Sequence, residues 1–381
     1  MLGQDLVTRV LRDGHDLVAV DRDAIDITDP ASVAQIVRDV DVVVNTAAFT
    51  AVDAAETKED VAFTVNATGP EILARRCAAI GARFVHVSTD YVFGGEATSP
   101  YAENGLLDPK GAYGRTKAAG EWAVRCNTDD YLIVRTAWLY GAHGKCFPRT
   151  MRDLSEERET LRGVTDEVGQ PTWAVDVADL IVRLIDEKAP TGVYHGTSSG
   201  QTSWHAFARE IMASIGKDPG IVEETTAASF NQPAPRPHYS VLGHDALERI
   251  GVTPIGNWKE RWAVACETVL GRRPPSRAES PRRRRRRPCH SVARYACTAS
   301  QVGRSPASRA SARFGAAVSF SDSRSSSGEP SRPVFGNSRA ISGQTGETPC
   351  SRPGAYSAEH MYMTVESSSK AMKAWPSPSE R

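Results

Sequence analysis

Up to about Gly271 the chain alternates two hydrophobic rhythms. Short apolar runs bounded by polar residues read as strands: Asp16-Leu-Val-Ala-Val-Asp21, Asp41-Val-Val-Val-Asn45, Arg83-Phe-Val-His-Val-Ser88 and Tyr131-Leu-Ile-Val-Arg135. The unbroken run at Asp41–Asn45 is what a parallel strand buried on both faces requires. Between the runs, apolar residues recur every three to four positions. Leu6–Leu11 is a short helical pattern stopped by Gly14, Glu59–Ile80 a long one stopped by Gly81, and Tyr113–Cys126 a third. This rhythm predicts an α/β fold with a Rossmann-like, doubly wound parallel sheet. Ligands of such sheets bind beyond the carboxyl ends of the strands.

From Arg272 onward neither rhythm persists. Arg, Ser, Pro, Gly and Ala dominate, with six consecutive arginines at Arg282–Arg287. Such a composition buries too little apolar surface to offset the entropy of ordering. The predicted organisation is therefore a cofactor-binding domain over residues 1–145, a nucleotide-sugar-binding region over 146–271, and a disordered tail over 272–381. Charge follows the same division. Residues 1–271 carry 26 Lys and Arg against 39 Asp and Glu, whereas 272–381 carry 20 against 7. The arginine run reads either as a surface for nucleic acid or another polyanion, or as an adventitious extension from a shifted reading frame. Its lack of regular spacing favours the second, so no nucleic-acid partner is expected.

No run of about 18 apolar residues is present, so no membrane helix is expected. The opening residues lack the charged, apolar and small-residue succession of a secretory signal. The seven cysteines are scattered without metal-ligand or disulfide spacing. A reducing, cytoplasmic setting is the plain expectation.

The chemistry starts from Tyr113-Gly-Arg-Thr-Lys117. Residues four apart on a helix share a face. An ammonium near a phenol lowers its pKa from about 10, which prepares it to protonate a carbonyl oxygen. Taken alone, the same spacing also describes a solvated helix face. Upstream, Ser88-Thr-Asp-Tyr-Val-Phe93 ends a strand, so the Thr89 hydroxyl is placed to bond a reacting carbonyl and Asp90 to bind a sugar hydroxyl. A simple Ser/Thr/Asp turn is the competing reading. Asn45-Thr-Ala-Ala-Phe-Thr50 follows another strand. Small residues at Ala47 and Ala48 let a flat cofactor approach the backbone, though a tight strand-to-helix turn needs them too.

Taken together, Asn45-Thr-Ala-Ala-Phe-Thr-Ala-Val-Asp-Ala-Ala-Glu56, Ser88–Phe93, Tyr113–Lys117 with Gly120-Glu121, and Arg135-Thr-Ala-Trp-Leu-Tyr-Gly141 resemble the dTDP-4-dehydrorhamnose reductase family of extended short-chain dehydrogenases. Gly169-Gln-Pro-Thr172, Tyr194-His-Gly196 and Arg236-Pro-His-Tyr-Ser240 extend the resemblance, which covers residues 1–271 and none of the tail. It implies NADPH- or NADH-dependent reduction of the 4-keto group of dTDP-4-dehydro-β-L-rhamnose to dTDP-L-rhamnose. The resemblance makes Tyr113 the proton donor, Lys117 its pKa-lowering and ribose-binding partner, and Thr89 the hydroxyl that polarises the keto oxygen. Thr89, Asp90, Trp138 and Arg236 become substrate contacts, Arg236 through the diphosphate. Trp138 also reads as a core tryptophan, and Arg236 as a surface arginine in a proline-rich loop. Leu2, Gly3, Asp26, Ile27, Ala48, Phe49, Thr50, Val87, Tyr113 and Lys117 become cofactor contacts. Asp26 reads equally as a helix N-cap before Pro30. Asp21 disfavours a 2′-phosphate and the adjacent Arg22 favours one, so NADH and NADPH stay open. Family likeness alone suggests Mg²⁺, without a ligand cluster here, and a monomer or homodimer.

Against this family pattern the opening is short. Members begin with a buried strand and a Gly-x-x-Gly-x-x-Gly turn that carries the pyrophosphate, whereas here Met1-Leu2-Gly3 leads straight into the helix. The expectation is a sheet lacking its first strand, with neighbouring edges unpaired and weakened cofactor binding. A misassigned start and a damaged gene both account for it. Two other functions compete: a different extended short-chain dehydrogenase acting as epimerase or dehydratase, and a non-catalytic subunit like the regulatory subunit of methionine adenosyltransferase. The single Asp90 after Thr89 disfavours a dehydratase. Tyr113, Lys117 and Thr89 together disfavour the non-catalytic subunit.

Overall fold

The computed structural model describes residues 1–271 and the backbone of 294–298. The remaining tail, including Arg282–Arg287 and the rest of the segment expected to be disordered, lies outside the described residues. The main sheet holds β1 (Asp16–Val20), β2 (Val42–Asn45), β3 (Arg83–Thr89), β4 (Tyr131–Thr136), β5 (Gly192–His195) and β6 (Arg294–Thr298), in the order β1-β6-β2-β3-β4-β5. Every pairing is parallel. All four residues of β2 are buried, as its unbroken apolar run requires.

The expected gap is where the structure amends the sequence reading. β6 pairs with β1 from Asp16↔Arg294 to Val20↔Thr298, and with β2 from Val42↔Tyr295 to Asn45↔Thr298. Two facing strand edges present unmatched N–H and C=O groups at fixed spacing, and one extended segment satisfies both. Five residues from the stretch without any hydrophobic period meet that demand, which is set by backbone groups and not by side-chain pattern.

The longer helices are α1 (Leu2–Arg12), α2 (Pro30–Ile36), α3 (Gly69–Ile80), α4 (Ala112–Asn127), α5 (Phe147–Glu157), α6 (Ala174–Asp186), α7 (Trp204–Ser214) and α8 (Trp258–Leu270). α1 buries Leu2, Leu6 and Val10 against α6. Arg9 ties the two together through Asp179 at 2.8 Å. α3 ends on Gly81 at φ 70°, the left-handed cap that glycine adopts without strain. One apolar core lies on each side of the sheet. A further core, built around Tyr140, Trp204, Phe207 and Trp262, joins α5, α7 and α8.

The helical stretch before α3 contains a π turn at Thr64–Thr68. It sets Asn66 so that its amide accepts from Phe49 N–H at 2.8 Å and donates to Phe49 O at 3.1 Å and Thr116 Oγ1 at 3.0 Å. α4 passes so close that a Cβ at Gly120 would stand 2.1 Å from Asn66 O. A backbone atom cannot yield as a side chain does. Gly120→Ala is therefore expected to destabilise the protein by about 1–3 kcal/mol, read as a lowered urea midpoint with unchanged m-value.

Candidate active site

β3 and α4 bring the two halves of the motif together. Thr89 ends β3 and caps the 3-10 turn Asp90–Val92, its Oγ1 accepting from Tyr91 N–H at 3.2 Å. The same hydroxyl donates to Asp90 Oδ1 at 2.9 Å. α4 is started from a distance: Glu56 Oε1 accepts from Ala112 N–H at 2.7 Å, and Gly111 leaves room for it. An acidic group satisfying free N–H groups at a helix start is a standard stabiliser. Here it fixes the helix that carries Tyr113 and Lys117.

Tyr113 is half-buried, with Phe49 in a small cluster around Ala55, Ala62 and Ala112, and it meets Tyr91 edge-on at 5.5 Å. Burial pushes its phenol above the usual range, while a hydrogen bond with Thr89 pulls it back. The Lys117 ammonium donates to Val87 O at 2.7 Å and lies 3.2 Å from His86 Nε2. Burial lowers its own pKa to about 8, against an opposing pull from Glu121. Asp90 is pushed up to about 6 by burial, with Ser240 and Thr89 drawing it down. Its Oδ2 faces the Ser240 hydroxyl with no well-formed hydrogen bond closing it.

Ala48 and Phe49 are half-buried in the turn after β2, and Thr50 is exposed. Val87 contributes its carbonyl to Lys117. Ile27 is buried and packs on Gly69, where a Cβ would meet its Cδ1 at 2.7 Å. Asp26 is exposed and closes a turn onto Thr28 N at 2.8 Å and Thr28 Oγ1 at 2.6 Å. The N-cap before Pro30 is Asp29, which accepts from Ala31 N–H at 2.9 Å. Leu2 and Gly3 are buried in the first turn of α1, where Gln4 and Asp5 donate their N–H groups to Met1 O and no side chain caps the helix. A nicotinamide dinucleotide fits these residues: a helix start with no side-chain cap, a small-residue turn at Ala47 and Ala48, and the buried Lys117 ammonium, which has donors beyond the one on Val87 O.

On the substrate side, a cleft is lined by Tyr91, Phe147, Glu167, Trp204, Phe230 and Arg236. Trp138 takes a left-handed backbone, φ 46°, and stacks on Trp204 with ring centroids 3.5 Å apart. Arg236 lines the cleft, and Asp53 already holds it, with both carboxylate oxygens 2.9 Å from Nη2. Asp53, Glu56, Asn66 and His86 were not singled out by sequence reasoning. The first two stand inside the quoted Asn45–Glu56 motif, which was the available signal. Trp138 needs Gly169 beneath it, where a Cβ would fall 2.5 Å from the indole. Gly169→Ala is expected to displace the indole and raise KM for the sugar nucleotide several-fold more than KM for the dinucleotide, measured by steady-state kinetics.

Among the described residues, one group of metal-type ligands comes together, Asp13, His15 and Asp186. It sits at the amino end of β1, opposite the catalytic crevice, and Arg9 already pairs with Asp13. It gives the Mg²⁺ expectation no support. No helix among the described residues is long and apolar enough to cross a membrane.

A tyrosine and a lysine one turn apart, facing a strand-end threonine across the carboxyl ends of a parallel sheet, define the extended short-chain dehydrogenase class. Within it the chain belongs to the RmlD substrate-binding-domain family, whose model matches residues 1–270. It is 41% identical over 285 residues to a dTDP-4-dehydrorhamnose reductase of Mycobacterium tuberculosis, covering 72% of this chain and 94% of that one. A dTDP-4-keto-6-deoxy-D-glucose reductase of Streptomyces niveus is 46% identical over 261 residues, covering 68% and 90%. The solved dTDP-4-dehydrorhamnose reductase of Bacillus anthracis, in complex with NADP, superposes with TM-score 0.67 at 34% identity, covering 69% of this chain and 94% of that one.

Proposed function

We propose that this chain reduces the 4-keto group of dTDP-4-dehydro-β-L-rhamnose to dTDP-L-rhamnose with NADPH or NADH, within dTDP-rhamnose and surface-polysaccharide biosynthesis. The observation that carries the reading is the meeting of Tyr113, Thr89 and Lys117 in a chain matched over residues 1–270 by the reductase family. We assign residues 1–145 to the cofactor and 146–271 to the nucleotide sugar. The separate apolar core around Trp204 and Trp262 supports that division.

A nicotinamide dinucleotide held by these residues would supply the hydride for the keto carbon. The chain supplies the proton. Tyr113 holds it on a phenol that burial keeps protonated through neutral pH. Thr89 has one proton, which it gives to Asp90 in this arrangement. An incoming keto oxygen must redirect that proton to be polarised, and Asp90 then needs its own proton or a sugar hydroxyl in its place. Lys117, held on Val87 O, has further N–H donors for a ribose. Leu2, Gly3, Ala48, Phe49, Thr50, Val87, Asp26 and Ile27 fill the remaining dinucleotide contacts in this reading. Trp138 and Arg236 flank the sugar nucleotide.

The 46% identity to the Streptomyces niveus protein favours a second reading, reduction of dTDP-4-keto-6-deoxy-D-glucose. Dinucleotide oxidation measured with each 4-keto sugar, and product stereochemistry by NMR, separate the two. Turnover of the rhamnose precursor at least tenfold above the other supports the first reading. Turnover of neither by a well-folded chain defeats both and leaves the non-catalytic subunit.

A further inference from the structure

His86 is fully buried on β3. Both its ring nitrogens are engaged. Nε2 is 3.2 Å from Lys117 Nζ, and Nδ1 is 3.3 Å from Asn45 Nδ2. Asn45, itself fully buried at the end of β2, accepts from Ala47 N–H through Oδ1 at 3.0 Å. One line of contacts thus runs from Lys117 through His86 and Asn45 into the turn that bears Ala48 and Phe49.

Hydrogen counting along this line separates two states. A charged lysine has three donors and no acceptor, so it requires a bare Nε2. A neutral imidazole then carries its proton on Nδ1, facing the Asn45 amide. With the amide as placed, Nδ1–H meets an NH₂ group. With the amide reversed, the NH₂ group meets Ala47 N–H instead. Either way two donors face each other in a buried site, an arrangement that buried polar groups avoid. A neutral lysine removes the conflict. Nε2–H donates to the Nζ lone pair, Nδ1 accepts from Asn45, and Oδ1 keeps Ala47 N–H.

We propose that His86 and Asn45 are positioning residues that couple the charge on Lys117 to the cofactor-lining turn after β2, the imidazole changing tautomer as Lys117 gains or loses its proton. The balance is one proton. On protonation Nζ gains one from solvent, while the ring keeps a single proton that moves from Nε2 to Nδ1. The coupling rests on Lys117 acting as assigned under the proposed function. It makes the charge that attracts a ribose hydroxyl also loosen the Ala47 anchor of the turn that lines the dinucleotide. The charged and titratable groups around the pair are Glu121 and Tyr113 from α4, Arg135 from β4, which is bound to Glu121, and Asp90 after β3. Burial keeps the His86 imidazole neutral, its pKa well below the ordinary value. A change near its ordinary pKa of about 6.5 would therefore be foreign to this arrangement.

The test is ¹⁵N NMR of the full chain labelled at histidine, with the His86 ring assigned by its loss in His86→Gln. A tautomer change with its midpoint near the Lys117 value of about 8 is expected. A single tautomer held across that range, or an imidazolium forming near pH 6.5, overturns the proposal. A second readout is the alkaline limb of kcat/KM. His86→Gln offers Lys117 an amide oxygen without a linked ring proton, so the limb is expected to rise by about one pH unit, a tenfold change in proton affinity. An unmoved limb in a folded variant also overturns it. If His86→Gln fails to fold, assignment falls to a Lys117→Met spectrum, in which the His86 transition must vanish. Wild-type turnover in the same preparation tests the proposed function separately, because the NMR transition does not depend on substrate.

Discussion

Replacing Tyr113 with phenylalanine is expected to lower kcat by about 10²–10⁴-fold, the usual worth of a positioned general acid. The fold should not register the change. The ring keeps its edge contact with Tyr91 at 5.5 Å and its place beside Phe49. What disappears is the one proton that burial holds on this side chain at neutral pH, together with its hydrogen bond to Thr89. KM for either substrate should move little, because the proton is transferred as charge develops on the keto oxygen and contributes little to ground-state binding. Single-turnover kinetics with matched melting curves check this. A variant that keeps more than a tenth of the parental rate would shift the proton source to Thr89 and Asp90. The parent enzyme should stay active through neutrality and decline as pH rises through about 8, where Lys117 loses its charge. The phenol, held higher than its ordinary value, does not set that limit.

Much of this site was legible in the sequence because it depends on local order. An unbroken apolar run specifies a buried strand, and β2 is buried throughout. A four-residue spacing specifies a helix face, and α4 presents Tyr113 and Lys117 together. Strand-end position specifies a residue at the carboxyl edge of the sheet, and Thr89 is the last residue of β3. What was not legible depends on register between distant segments. Lys117 finds Val87 O and His86, 30 and 31 positions away, because β3 and α4 pack at one particular offset. No spacing rule contains that offset. Glu56 reaches Ala112 across 56 positions for the same reason. Arg236 lines the cleft, and its partner Asp53 is 183 positions away. The strand β6 is the extreme case. Its place is set by the open edges of β1 and β2, and its own sequence carries no period that announces it.

Removing Glu121 is expected to destabilise the protein by about 3–5 kcal/mol, the cost of leaving a buried charge without its partner. Glu121 is fully buried on α4, and Arg135 is 1% exposed on β4. Their two hydrogen bonds are bidentate, Nε to Oε1 at 2.8 Å and Nη2 to Oε2 at 2.7 Å. In Glu121→Ala the guanidinium keeps Glu103 O at 3.0 Å and the face of Phe93 at 4.9 Å, and neither neutralises it. Urea denaturation measures the loss. The double variant Glu121→Leu, Arg135→Met replaces both charges with apolar groups and should recover most of the stability, since the penalty lies in the orphaned ion more than in the missing bond. A double variant as unstable as the single one would mean that shape, not charge, is what this pair provides. The milder Glu121→Gln carries the argument to the active site. The Glu121 carboxylate raises the Lys117 pKa against desolvation. Without it the ammonium loses its proton at lower pH, so the alkaline limb of kcat/KM should move down from about 8 and activity at neutral pH should fall. A limb that stays in place in Glu121→Gln would show that this buried pair braces β4 against α4 without setting the charge of the catalytic lysine.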